Sequence, residues 1–132
     1  MKLLETDQID ALANASFPIA LSLLMPTFSS CNQADQNIHR FKTLLDQAEV
    51  ELDTVAAEKE QIEIIRPTME LLEDRYFWES QDQGLVFYLA EGCSYFYRLP
   101  FDPGQSIRFC KRFFLEPVEL ALFEEQSAAC WL

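Results

Sequence analysis

The sequence predicts an α/β fold of the α+β kind: a two-layer sandwich in which a mixed sheet of about four strands carries two long helices on one face, plus a short amino-terminal helix. Three observations predict it. A compact apolar run, Ile19 to Met25, precedes two stretches whose apolar residues recur every three or four positions, and beyond Gly84 the spacing becomes that of strands. The 132 residues suit one domain, 1–132, and 49% hydrophobic, 13% aromatic and 24% charged residues support a packed interior.

Leu4 to Ala15 reads as the short first helix, with Ile9 and Leu12 three apart and Ser16 and Pro18 ending it. Ile19 to Met25, bounded by Pro18 and Pro26, has strand length, although Ala20, Leu21, Leu23 and Leu24 are not strong strand formers. After a polar loop from Phe28 to Ala34, residues Ile38, Phe41, Leu45, Ala48 and Leu52 form one helical stripe with Asp35 as its cap. A linker around Thr54 to Ala57 leads to a second stripe, Ile62, Ile65, Met69, Leu72 and Tyr76, expected to kink or restart at Pro67. Both stripes are expected to pack on the sheet, and Phe77 and Trp78 close the helical half.

Leu85 to Ala90 and Tyr95 to Phe101, joined through Glu91 and Gly92, read as a hairpin. Asp102, Pro103 and Gly104 turn the chain into a last strand, Ile107 to Leu115. In the hairpin, Tyr95 and Tyr97 share one face and Phe96 and Arg98 the other, an arrangement that suits core packing and could also stack bases.

Ten Lys and Arg against 22 Asp and Glu give a net charge of −12, so the averaged surface repels phosphate and anionic lipid. The charge is uneven. From Asp46 to Asp82 there are twelve acids and three bases, a candidate acidic docking face with Glu49, Glu60 and Glu63. From Arg98 to Arg112 the balance reverses, and Arg98, Arg108, Lys111 and Arg112 are the candidate binding residues for phosphate or a carboxylate partner. Arg108 and Arg112 would share a face of a regular strand. For both blocks a plain solvated surface is the competing reading.

Catalysis is not expected. A triad would have to be built around His39, the single histidine, and Gly84, Gly92 and Gly104 are isolated at turns where no phosphate-cradling loop can form. The acid pairs Glu58 and Glu60, Glu73 and Asp74, and Glu124 and Glu125 read as solubilising charge. Cys31, Cys93, Cys110 and Cys130 lack metal-ligand spacing, so no metal and no cofactor is expected, and free, mostly buried thiols point to the cytoplasm. No membrane association is expected either: Glu5, Asp7 and Asp10 interrupt any leader, and the uncharged stretch from Ala11 to Ala34 has an apolar heart of only about ten residues.

The ordered set Leu21-Ser22-Leu23-Leu24-Met25-Pro26-Thr27, Gln36-Asn37-Ile38-His39-Arg40-Phe41-Lys42-Thr43-Leu44-Leu45, Phe77-Trp78, Gly84-Leu85-Val86-Phe87 and Tyr97-Arg98-Leu99-Pro100 resembles the amino-terminal domain of bacterial members of the archaeo-eukaryotic peptide chain release factor family. The similarity spans roughly Phe17 to Leu122. It implies the first domain of a three-domain protein acting at the ribosome, with the ribosome or a translation-related protein as partner. Asn37-Ile38-His39-Arg40 looks like the family's codon-reading Asn-Ile-Lys-Ser motif, but that motif follows this helix, where Asp53-Thr54-Val55-Ala56-Ala57 has no Asn, Lys or Ser. The Gly-Gly-Gln loop that triggers peptide release does not occur. Phe28-Ser29-Ser30-Cys31 and Phe114-Leu115-Glu116 stand where relatives carry basic or histidine residues, which weakens direct RNA contact.

The chain therefore reads as a non-catalytic binding module, ribosome-associated by resemblance, with an acidic domain docking a basic protein as the alternative. Ala128, Ala129, Cys130, Trp131 and Leu132 form an apolar end that packs back on the core, leads into further domains or supports a homodimer.

Overall fold

A computed structural model describes residues 1–55 and 57–130, the side chains at 31 and 124–130 excepted. Its described strands are β1 (Lys2–Leu3), β2 (Ala20–Pro26), β3 (Gly84–Ala90), β4 (Cys93–Leu99) and β5 (Ser106–Cys110). They form one sheet in the order β1-β4-β3-β2-β5. Only the β1–β4 pair is parallel, so the sheet is mixed as expected, with five strands rather than four. The extra strand is two residues long, too short to leave a period in the sequence, and Leu4 extends it by donating its N–H to the Phe96 carbonyl at 2.8 Å.

The apolar runs of β2, interrupted by Ser22, and of β3 are explained by cover on both faces of the sheet. Leu21, Leu23, Met25, Leu85, Phe87 and Leu89 point to one core, while Ala20, Leu24, Val86, Tyr88 and Ala90 point to the other. Burial on both sides overrides the weak strand preference of Ala and Leu. Gly92, at a φ of 75°, makes the tight turn between β3 and β4.

Over the first core lie α2 (Ala34–Leu52) and α3 (Glu58–Leu71), the two long helices expected. Asp35 does not cap α2. A 3-10 turn over Cys31–Gln33 starts the winding earlier, and Asp35 instead meets Arg75 at 2.7 Å. Nor does α3 restart at Pro67. It continues to Leu71, breaks there, and resumes as α4 (Arg75–Glu79), whose cap Asp74 accepts from the Phe77 N–H. The indole of buried Trp78 donates to the Leu71 carbonyl at 2.7 Å, satisfying a group at that break.

The buried face of α3 is also shifted from the expected stripe. Ile64, Ile65, Thr68 and Leu71 are buried, while Ile62, Met69 and Tyr76 are exposed. Both sets have helical spacing, and the sheet selects the one that seats on β3 and β4. Phe41, Phe77, Trp78, Phe87 and Phe96 knit this core, with ring centroids 4.7 Å apart for Phe41–Phe87 and 5.0 Å for Phe77–Phe96. Such contacts add about 0.5–1.5 kcal/mol each to the burial of the rings.

The opposite face is covered by α1 (Thr6–Asn14) and by α5 (Glu116–Cys130), a helix the sequence reading leaves out. The expected last strand is correspondingly shorter, ending at Cys110 rather than Leu115. Three hydrogen bonds account for this: Phe17 N–H to the Lys111 carbonyl at 2.8 Å, Phe114 N–H to Ser22 Oγ at 3.0 Å, and Tyr88 Oη to the Phe114 carbonyl at 2.7 Å. They draw the chain off the sheet edge and across its face, where Phe113 and Leu115 are buried. Among the described residues no helix is long and apolar enough to cross a membrane.

Candidate binding surfaces

β5 is an edge strand, and its alternation decides where the sequence-predicted cations go. Ile107 and Phe109 lean on the first core, whereas Arg108, opposite Ser22, projects from the other face. There its guanidinium lies over the Phe114 ring, 3.8 Å from the centroid. Lys111 and Arg112 follow in the bend after the strand, both exposed. Arg112 is thus not on a strand, and it cannot share a strand face with Arg108 as the spacing alone predicts. Among the described residues none of the three has an ion-pair partner.

Arg98 belongs elsewhere. It sits on β4 opposite Leu85, with β3 and β2 between it and β5, and on the other face of the sheet. Its guanidinium covers the rings of Phe96 and Phe77 at 5.2 and 5.6 Å, and its Nε is buried with no hydrogen-bond partner among the described residues. Burial pulls its pKa below the ordinary arginine value, partly offset by Tyr76. Arg98 is a lid on the aromatic core, and the structure separates it from the other three. Tyr95 and Tyr97 pack against the second core rather than standing free as a stacking platform.

Glu49, Glu60 and Glu63 are all exposed but do not converge. Glu49 lines a groove between α2 and α3; Glu60 borders a separate depression with Phe17 and Glu91; Glu63 meets Arg66 at 3.5 Å. On α3, Glu60 lies about half a turn away from the groove.

His39 is exposed on α2, beside an open depression of about 420 Å³ that also touches Asp35, Arg40 and Thr43. No triad is assembled there. Asp35 is engaged by Arg75, the Thr43 hydroxyl donates to the carbonyl of His39 at 3.2 Å, and no hydrogen bond joins the imidazole to either among the described residues. Asn37, two positions earlier, is fully buried: its side-chain oxygen accepts from the Phe28 N–H at 2.8 Å and its amide donates to the Phe28 carbonyl at 3.0 Å. The residue that opens the Asn37-Ile38-His39-Arg40 run is therefore structural.

Compared with protein-family models and with curated proteins, the chain matches none. Its surfaces have to be interpreted from their own chemistry.

Cys110 is exposed at the end of β5, and Cys93 is half-buried, so these two thiols depart from the expected burial. The Arg112 and then the Lys111 backbone N–H groups bond the Cys110 sulfur and hold its pKa below the ordinary thiol range, while burial pushes Cys93 up. Spacing gave no hint of this, because the bend that aims the two amides forms only where the chain leaves the sheet. The pair Glu124 and Glu125 and the apolar end Ala128 to Leu132 lie outside the described side chains.

Proposed function

We propose that the chain is a non-catalytic binding module that works in the cytoplasm at the ribosome, touching RNA or an acidic protein through Arg108, Lys111 and Arg112. One observation carries this reading. In a chain of net charge −12, three exposed cations with no ion-pair partner among the described residues lie on the edge strand β5 and in the bend that follows it, with Arg108 stacked on Phe114. A local cationic patch of this kind offers phosphate or carboxylate contacts that the averaged surface would repel. The resemblance to release-factor amino-terminal domains supplies the ribosome as the place to look. The rival reading, a basic protein docked across Glu49, Glu60 and Glu63 together, has less support, because Glu60 borders a separate depression and Glu63 is paired with Arg66.

Co-sedimentation of the tagged chain with bacterial ribosomes tests the proposal. Salt-sensitive pelleting that disappears in an Arg108→Glu, Arg112→Glu variant is the expected outcome. Absence from every ribosomal fraction at low salt, or pelleting indifferent to the charge reversal, sinks it.

A further inference from the structure

The groove between α2 and α3 has a volume of about 400 Å³ and an apolar floor of Ile62, Ile65 and Met69. Ile65 is buried, but Ile62 and Met69 remain 50% and 49% exposed. These residues belong to the stripe that periodicity assigns to the core. The sheet takes the neighbouring stripe instead, through Ile64, Thr68 and Leu71, and no described element covers Ile62 and Met69.

The groove's rim is anionic. Glu49 of α2 and Glu58 of the first turn of α3 have no ion-pair partner among the described residues. The cation on the rim, Arg66, is held by Glu63.

We infer that this groove takes a basic amphipathic helix of a partner protein. Ile62 and Met69 are seven residues apart on α3, two turns or about 10 Å, the repeat with which the apolar anchors of a helix laid alongside would meet them. Lysines or arginines flanking those anchors would complement Glu49 and Glu58. A second copy, itself at −12, would bring like charge to the same rim, which disfavours it. The inference does not depend on the ribosome reading, because α2 and α3 cover the face of the sheet opposite Arg108.

The test uses the whole chain and a labelled peptide of about 18 residues, a Leu/Lys sequence with leucines at helical spacing of three and four. Controls are a scrambled peptide of the same composition and a Leu/Glu counterpart. Fluorescence anisotropy should detect binding of the ordered Leu/Lys peptide alone, weakening with salt, and amide shifts should centre on Glu49, Glu58, Ile62 and Met69. Because Ile62 and Met69 are half exposed, an Ile62→Ser, Met69→Ser variant should fold normally, as circular dichroism would verify, and bind about tenfold or more weakly. Glu49→Lys with Glu58→Lys should weaken binding similarly, whereas Arg108→Glu with Arg112→Glu should leave it unchanged. No binding, equal binding of the scrambled peptide, shifts centred elsewhere, or indifference to the serine pair each overturns the inference. So does sedimentation equilibrium revealing a dimer that the serine pair abolishes, since a second copy would then be the occupant.

Discussion

The Arg108 guanidinium rests 3.8 Å from the centre of the Phe114 ring, joining the last strand to the segment that leaves it. Phe114 is itself anchored at both backbone groups, by Ser22 and by Tyr88. The Arg108 cation is therefore held by a stack on a fixed platform. A double-mutant cycle of Arg108→Ala and Phe114→Leu, followed by urea unfolding, should give a coupling of about 0.5–1 kcal/mol. Independent, additive effects would mean that the stack contributes nothing.

Removing the Tyr88 hydroxyl leaves the Phe114 carbonyl without that donor. Tyr88→Phe should lower unfolding stability by about 1–2 kcal/mol. Burial, and then the nearby Glu119 carboxylate, raises the Tyr88 pKa well above its ordinary value of 10.0. A phenol whose pKa is raised on folding contributes stability that is fully present below the unfolded value and lost as pH climbs past it toward the folded one. The native chain should accordingly lose stability above pH 10 more steeply than Tyr88→Phe, measured by urea midpoints on both proteins. Identical slopes would contradict the burial argument.

Asn37 ties the start of α2 to the loop after β2 and also approaches the Trp78 carbonyl at 3.4 Å. Asn37→Ala should cost about 2–3 kcal/mol, because two backbone groups of Phe28 lose their partner in a part-buried place. Asn37→Asp should not rescue it, since a carboxylate can accept from the Phe28 N–H but repels the Phe28 and Trp78 carbonyls. Thermal unfolding of the two variants measures both effects.

The thiols should separate kinetically. With its pKa lowered by the Arg112 and Lys111 amides and its side chain exposed, Cys110 should react with iodoacetamide at neutral pH before Cys93, whose pKa burial raises. Peptide mass mapping over a time course resolves the two sites, and equal rates would argue that the amides do not favour the thiolate.

Several elements were legible from residue order because their cause is local. The apolar run after Pro18, the long stripe from Ile38 to Leu52, the turn at Glu91 and Gly92, and the opposed faces of Tyr95 and Phe96 follow from spacing and backbone preference alone. The net charge and the cationic block from Arg98 to Arg112 were equally plain in the sequence. Spacing could not choose between two helical stripes on α3, because either satisfies the period and only contact with β3 and β4 selects one. Nor could it end β5 at Cys110: the bond that pulls Phe114 across the sheet reaches Ser22, 92 positions earlier. Strand order and register separate the cations, leaving Arg108, Lys111 and Arg112 at the β5 edge while Arg98, on β4, stacks on the opposite face. Periodicity within an element states which residues can share a side; packing between elements decides which side is covered.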